Sequence, residues 1–474
     1  MEQIDTVKSL CPECLRKIEG IKYVEDGKVY IGKECEEHGK FTILISRDVE
    51  HYKKMENCYE AERAKPKAFL NNAEKGCPFD CGLCPSHKQD TCIAVLEVTS
   101  RCDMGCTFCF ANSTSSGNDP DMATIKKMFE TVKQCSNDPT CVQISGGEPT
   151  LRNDLPEIIK LGRDMGISHI ELNTNGNRLA DDPGFLNEIV DAGIDAIYLG
   201  FDGISDEIYD KRHKKMNFSK KAQVIDRCEK VGIGVVLVPL VSRDYNLHEV
   251  GKIIDFASSK VPTVRGVHFQ PVFFSGRYPS EEGRITIFDL LEEVEDQMEG
   301  KLKITNFTPS LMPHAHCGAT CLVVVDEYGN FIPLTNISLG AVESTSDIAR
   351  KTKNSIMGRW KGMDESSSCC SKEVEVKSSC CTQKLEIKSS CCSKSDQENK
   401  LNSDFSNGWA DFIELSKENY LTISAMGFQD AWTYEQDRVE NCCIHVVTEN
   451  GKFIPFCNYN LTNCKGEYLY RNAG

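Results

Sequence analysis

Between residues 91 and 275 short apolar runs alternate with longer stretches whose apolar positions recur every third or fourth place. The short runs are TCIAVLEV from 91, VQISGG from 142, HIELNTNG from 169, AIYLGFDG from 196, GVVLVPLV from 234 and GVHFQPVFF from 266. They read as strands. Between them MATIKKMFETVKQC, LPEIIKLGRDMG, PGFLNEIVDAG, KAQVIDRCEKVG and LHEVGKIIDFASS read as amphipathic helices. Six such strand–helix units predict an α/β fold with a parallel sheet and right-handed crossovers, either doubly wound or an incomplete barrel. In both forms the chemistry gathers where strands end, and the polar and glycine-rich groups of this stretch fall there.

Outside that stretch the pattern changes. Residues 1–60 carry strand-like alternation around an Asp26-Gly27 turn and predict a zinc-ribbon-like knuckle. Residues 61–92 are a short cysteine-bearing segment, and 93–280 form the α/β domain. Residues 281–362 hold VVVDEYGNFIP, whose strand-turn-strand pattern returns within 404–474 as HVVTENGKFIP, so the two are expected to pair in one C-terminal module. Between them, 363–403 repeat SerSerCysCys with an 11-residue period. Rich in Ser, Lys and Glu and poor in apolar bulk, this insert is expected to be disordered.

Composition narrows the chemistry. A formal net charge of -16 argues against nucleic acid as the main partner. No run reaches the roughly 20 apolar residues of a membrane span, and the N-terminus lacks a basic start and apolar run, so a soluble, cytoplasmic protein is expected. Twenty-six cysteines in short-spaced groups suit metal thiolates better than disulfides in a chain of this length.

Cys11, Cys14, Cys35 and His38 supply three sulfurs and a nitrogen, a set that suits tetrahedral zinc and also admits iron. Cys77, Cys81, Cys84 and Cys92 supply four thiolates for an auxiliary iron–sulfur cluster, with a structural zinc as the alternative. Cys442, Cys443 and Cys457, joined by Cys317, are candidates for a further auxiliary cluster, with Cys321 and Cys464 as spares. Cys58, Cys135, Cys141 and Cys228 read as small core residues.

Cys102, Cys106 and Cys109 form CxxxCxxC in the loop leaving the first strand. Three thiolates bind three irons of a cubane and leave the fourth open to a small chelating molecule. Gly146, Gly147, Glu148 and Pro149 close the next strand, where paired glycines let a ligand approach the main chain without a clash.

CDMGCTFC followed by GlyGlyGluPro resembles the radical S-adenosylmethionine superfamily over residues 91–275. The resemblance implies a partial (β/α)6 TIM-like barrel, a four-iron four-sulfur cluster on the triad and S-adenosylmethionine chelating its open iron. It also implies contacts from Gly146, Gly147 and Glu148 to the cofactor's amino end, and polar contacts from Asn173, Asn175 and Asp202. Reductive cleavage would then yield a 5'-deoxyadenosyl radical that abstracts hydrogen.

CPECLRKI with CEEHG, GCPFDCGLCPSHKQDTC, HFQPVFFSGR, HCGAT and CCIHVV with IPFCNYN look like the archaeal tetraether lipid synthase branch and its relatives. That likeness implies carbon–carbon coupling of lipid chains, one or two auxiliary clusters, and a low-potential electron donor such as ferredoxin or flavodoxin. Relatives on the same scaffold are pterin methyltransferases, so a radical methyltransferase acting on a pterin-like or other small molecule is the alternative. A third reading, from another class, is a soft-metal or metalloid-binding thiol protein centred on the SerSerCysCys insert.

Overall fold

A computed structural model of the chain describes residues 1–57, 64–213, 215–279, 283–310, 312–336, 357 and 419–471. The SerSerCysCys insert and Cys58 lie outside the described residues.

The N-terminal segment folds as an antiparallel sheet in chain order, β1 (Glu2–Leu10), β2 (Lys17–Glu25), β3 (Lys28–Cys35) and β4 (Gly39–Ser46), followed by α1 (Val49–Asn57). Asp26 and Gly27 both take positive φ, 50° and 72°, the conformation that lets a two-residue turn follow the twist of β2 and β3.

The six expected strands all form: β5 (Ile93–Glu97), β6 (Cys141–Ser145), β7 (His169–Thr174), β8 (Ala196–Gly200), β9 (Gly234–Val238) and β11 (Val264–Pro271), with the short β10 (Leu240–Val241) beside β11. They pair in parallel in that order. Intervening helices include α2 (Met122–Cys135), α3 (Leu155–Asp164), α4 (Asn177–Asp181), α5 (Pro183–Asp191), α6 (Asp206–Arg212), α7 (Phe218–Lys230) and α8 (Val250–Ser258). Alternate strand residues, among them Leu96, Ile144, Leu172, Leu199, Leu237 and Phe269, join one buried apolar cluster with the helix faces. Burial of that outward face holds the layers together, at about 25 cal/mol per Å² of apolar surface removed from water.

After α9 (Ile287–Gln297) come β12 (Thr308–Pro309), β13 (Gly318–Val325), β14 (Phe331–Pro333), β15 (Tyr420–Met426), α10 (Gln436–Glu440), β16 (Ile444–Val447), β17 (Phe453–Pro455) and α11 (Phe456–Tyr459). β15 adds in parallel to β11, while β16 adds in parallel to β5, so the C-terminal strands extend both edges of the barrel sheet. The expected pairing of the two strand-turn-strand segments does not occur. β13 and β14 sit on the β15 side and β16 and β17 on the β5 side, because each hairpin finds a different open edge of the parallel sheet. Among the described residues no helix is long and apolar enough to cross a membrane.

Buried polar contacts clamp the antiparallel sheet to the C-terminal stretch. Lys22 pairs with Glu435 at 2.6 Å, and Lys33 donates to the carbonyls of Ala431 and Trp432 at 2.8 and 2.7 Å.

Candidate functional site

Cys102, Cys106 and Cys109 leave the C-terminal end of β5 in one loop, and all three are half-buried. The loop is pinned from four sides. Gly147 and Glu148 donate their backbone N–H groups to the carbonyls of Thr99 and Arg101, each at 2.8 Å. Asn175 and Asn177, after β7, donate their amides to the two carboxylate oxygens of Asp103, both at 2.9 Å. Arg277, beyond β11, donates to the Cys106 carbonyl at 2.7 Å and exchanges backbone hydrogen bonds with Cys109. Arg212, at the end of α6, reaches the Cys106 thiol and pairs with Asp202 at 3.0 Å.

The residues expected to contact the cofactor also hold the cysteine loop in place. A Cβ on Gly146 would lie 2.1 Å from the Thr99 carbonyl oxygen, and one on Gly147 2.1 Å from that of Arg101. The close approach that demands glycine is therefore made by the stem of the cysteine loop. The Glu148 carboxylate is 1% exposed and fully engaged, accepting from Thr150 Oγ1 and Thr174 Oγ1 at 2.6 Å and from the Asn175 N–H at 2.7 Å. Burial pushes its pKa up despite those donors. Asn175 is likewise committed to Asp103 and to the N–H of Asn177 at 2.8 Å. Asp202 faces Arg212 and the Leu240 N–H. Asn173 alone keeps an open aspect, with one long contact of 3.4 Å to Ser145 Oγ.

With nothing bound, burial holds the Cys102 and Cys106 thiols of this loop protonated. Burial pushes the Cys102 thiol up to about 12 and raises Cys106 against the pull of Arg212. Thiolates form there only with a compensating cation. Lys221, buried behind the loop, donates to the carbonyls of Asn175 and Gly200, and burial draws its ammonium down to about 8. Asp103, Arg212, Lys221 and Arg277 escaped the sequence reading, because charged residues on helices and loops carry no spacing signal until the fold brings them together.

The inner face of the barrel is mixed: Ile93, Val95 and Cys141 join Phe273 and Phe456 in an apolar cluster, and a set of polar side chains lies on the same face. Gln143, Asn173, His268, Gln270 and Ser424 lie within strands yet stay partly exposed, while their outward neighbours are fully buried. Tyr198 meets His268 edge-on at 6.4 Å across the intervening β9, and His268 Nδ1 lies 2.8 Å from Ser424 Oγ. Burial draws His268 down to about 4, so its ring is neutral at neutral pH.

The remaining cysteines form three groups. In the antiparallel sheet, ligand atoms of Cys11, Cys14, Cys35 and His38 all lie within 4.8 Å of one another, a spacing that fits one tetrahedral ion. The hydrogen bond from His38 draws the Cys35 thiol down to about 6, whereas burial raises Cys11 to about 11.

Cys77, Cys81 and Cys84 stay together ahead of β5. The Cys77 and Cys81 thiols are hydrogen-bonded, and Asn458 donates its amide to the Cys81 sulfur at 2.8 Å. Their spacing repeats CxxxCxxC, a signal that grouping them with Cys92 concealed. Cys92 itself does not join them. Its sulfur lies 2.8 Å from that of Cys443, because β16 pairs with β5 and sets the residues preceding each strand side by side.

The third group is Cys317, Cys442, Cys443 and Cys457, with Cys92 added. Burial raises the Cys442 thiol, and Cys457, Cys317 and Cys92 nearby raise it further. Arg438 donates to the Cys317 sulfur at 3.4 Å. Cys135, Cys228 and Cys321 lie in the main apolar cluster, and Cys141 lies in a smaller one with Cys92 and Cys443.

A parallel partial barrel with a three-cysteine loop at the end of its first strand defines a radical-generating iron–sulfur enzyme. The Radical SAM superfamily profile matches residues 96–257, and that of the HMPTM N-terminal zinc ribbon domain matches residues 3–47. The chain is 39% identical to the 7,8-dihydro-6-hydroxymethylpterin dimethyltransferase of Methanocaldococcus jannaschii, over 95% of this chain and 92% of that protein. It thus belongs to the radical S-adenosylmethionine superfamily, and its cofactors include a four-iron four-sulfur cluster and S-adenosylmethionine, with an additional metal site in the ribbon. It is also 27% identical to a probable GTP 3',8-cyclase of Sulfolobus acidocaldarius, over 50% of this chain and 72% of that protein. Among solved structures, anSMEcpe with bound AdoMet and a Cp18Cys peptide matches with a TM-score of 0.34 and 16% identity, covering 58% of this chain and 85% of that one. The expected kinship with tetraether lipid synthases and the lipid substrate find no support in these relationships, which run instead to the pterin enzyme.

Proposed function

We propose that this enzyme methylates a pterin-like heterocycle by radical chemistry. The observation that carries the reading is the set of polar side chains on the inner face of the barrel. Gln143, Asn173, Tyr198, His268, Gln270 and Ser424 offer hydrogen bonds to a compact heterocycle, whereas an alkyl chain would strand these groups without partners. The relationship to the hydroxymethylpterin dimethyltransferase, which spans nearly the whole chain, supports the same substrate class.

In this reading Cys102, Cys106 and Cys109 hold the cluster and leave one iron for S-adenosylmethionine. When bound, the pair supplies a 5'-deoxyadenosyl radical that removes hydrogen from substrate. Gly146, Gly147, Glu148, Asn175 and Arg277 position the cysteine loop, and Asp202 orients Arg212 beside Cys106. Asn173 faces the cofactor side of the chamber. Cys11, Cys14, Cys35 and His38 hold the ribbon metal. Cys77, Cys81 and Cys84 hold one auxiliary centre, and Cys317, Cys442, Cys443 and Cys457, with Cys92 at hand, hold another. A low-potential donor of the ferredoxin or flavodoxin type supplies electrons.

The test is incubation of the reconstituted full chain with dithionite, S-adenosylmethionine and 7,8-dihydro-6-hydroxymethylpterin. A methylated pterin should appear alongside 5'-deoxyadenosine and methionine from one cofactor molecule and S-adenosylhomocysteine from a second, which gives the methyl group. Turnover of an alkyl-chain lipid in place of the pterin would overturn the reading.

A further inference from the structure

The cations around the triad loop differ in what they touch. Arg277 donates to the Cys106 carbonyl at 2.7 Å, Lys215 to the Asp103 carbonyl, and Lys221 to those of Asn175 and Gly200. Each of these contacts ends on main chain. Arg212 differs, because its guanidinium reaches a sulfur, that of Cys106.

Its placement is fixed from two sides. Arg212 closes α6, and its carbonyl accepts from the Thr107 N–H at 3.1 Å, which ties the helix end to the residue after Cys106. Asp202, just beyond β8, engages Arg212 Nε at 3.0 Å. Asp202 is itself held: its Oδ1 accepts from the Leu240 N–H at 3.2 Å and its carbonyl from the Asn246 amide at 2.7 Å. With Nε taken, the terminal nitrogens remain, and Nη1 is buried with no hydrogen-bond partner among the described residues. A neutral thiol is a weak acceptor for such a donor. The thiolate that Cys106 becomes on binding iron is an anionic one, and the bond is then charge-assisted on both sides.

We infer that Arg212 sets the reduction potential of the cluster on the triad, donating from its guanidinium to the Cys106 sulfur with Asp202 as moderating counter-charge; the inference rests on the reading that Cys102, Cys106 and Cys109 hold that cluster. Thiolates and sulfides make the cluster anionic, and reduction adds one more negative charge, so a cation at a ligand sulfur favours the reduced form. The electron comes from the low-potential donor, and no bond is made or broken in this step. Asp202 acts in the opposite sense, because its carboxylate offsets part of the cation's field while holding the side chain in place.

The experiment is a mediated electrochemical titration of the reconstituted full chain followed by electron paramagnetic resonance. The triad's signal is the one that changes when S-adenosylmethionine is added. In Arg212→Gln the ratio of reduced to oxidised cluster at a fixed potential should fall at least about tenfold, a downward midpoint shift of about 59 mV for one electron. In Asp202→Asn the shift should be upward, because the cation stays and its counter-charge goes. Arg212→Lys keeps the charge but not the fork, and its midpoint should fall between those of the wild type and Arg212→Gln. A merely structural role would lower iron occupancy in these variants without moving the midpoints in opposite directions. Midpoints that stay put, or that move the same way in Arg212→Gln and Asp202→Asn, would overturn the inference. Should Arg212→Gln fail to hold iron, Asp202→Asn decides alone, and no upward shift there would sink the role of Arg212. A wild type without any signal that answers to S-adenosylmethionine removes the cluster from the triad, and the inference falls with the reading beneath it.

Discussion

Cys77, Cys81 and Cys84 carry the same CxxxCxxC spacing as Cys102, Cys106 and Cys109, and only 17 residues separate Cys84 from the second set in sequence number before Cys102 begins it. Their surroundings differ, although Cys77 is half-buried like the second set. The first set precedes β5 and is closed over by protein: Cys81 and Cys84 are buried, the Cys81 sulfur takes the Asn458 amide, and its N–H donates to Tyr470 Oη at 2.9 Å. The second set follows β5 at the chemical end of the barrel, half-buried and held by the ends of β6, β7 and β11. Identical spacing supplies three sulfurs in both cases. Whether a small molecule could reach a metal on either set is decided by what stands opposite, and in the first set that is the chain's own Asn458 and Tyr470.

The sharpest test of this contrast is ligand removal. Replacing Cys106 by Ala should reduce 5'-deoxyadenosine formation by at least about 1000-fold, some 4 kcal/mol of barrier. Replacing Cys81 should leave cofactor cleavage within about tenfold while removing about four irons. Equal loss of cleavage from both variants would mean that the two sets share one function.

The next effect is on stability. The segment around Cys77 is gripped by the ribbon, where Lys17 lies over the Phe79 ring, and the ribbon is in turn held by the buried Lys22–Glu435 pair. Glu435→Gln leaves a buried ammonium uncompensated and should cost about 3–5 kcal/mol, read from denaturant unfolding of the full chain. A cost below about 1 kcal/mol would show that the ribbon docks without this pair.

A smaller and more local effect is expected on the other side. Gly147→Ala drives a methyl group toward the Arg101 carbonyl and should cost about 1–3 kcal/mol through displacement of the loop stem. Iron on the triad should fall while iron on Cys77, Cys81 and Cys84 is retained, as resolved by electron paramagnetic resonance with and without S-adenosylmethionine. Loss of both signals together would contradict the separate anchoring of the two loops.

The smallest effect separates the two regions by pH. At Glu435 burial pushes the carboxyl up, but Lys22 and Arg438 outweigh it and hold the group below its usual 4.5. Its contribution to stability is present above pH 4.5 and is lost as pH falls through the lowered value. Glu148, raised by burial, runs the opposite way: its contribution is present below 4.5 and is lost as pH rises through the raised value. Melting temperatures of Glu435→Gln and Glu148→Gln, each compared with wild type from acid to neutral pH, should therefore diverge with opposite slopes. Parallel profiles would remove the distinction.

Much of the barrel was legible because its information is local. The period of two in IAVLE and HIELNT, and the period near 3.6 in MATIKKMFETVKQC, each require only neighbouring residues to be read. The triad was legible for the same reason, since its three cysteines share one loop. Cys92 was misgrouped because its partner Cys443 is 351 residues away, and nothing near Cys92 records that β16 will dock beside β5. Gly146 and Gly147 were expected to admit a ligand to the main chain; the structure shows the Thr99–Arg101 backbone packed against them, which only the folded loop brings there.

The amino-acid sequence by itself determined the strand and helix order of the barrel, the ribbon's four candidate ligands and the three-sulfur loop, because each depends on spacing along a few tens of residues. Tertiary structure alone decided the two sheet edges, the company of Cys92, and the gathering of polar side chains on the barrel's inner face. Those features arise where strands distant in the chain share an edge or an inner face, and side chains acquire their chemistry there from neighbours that no local pattern can name.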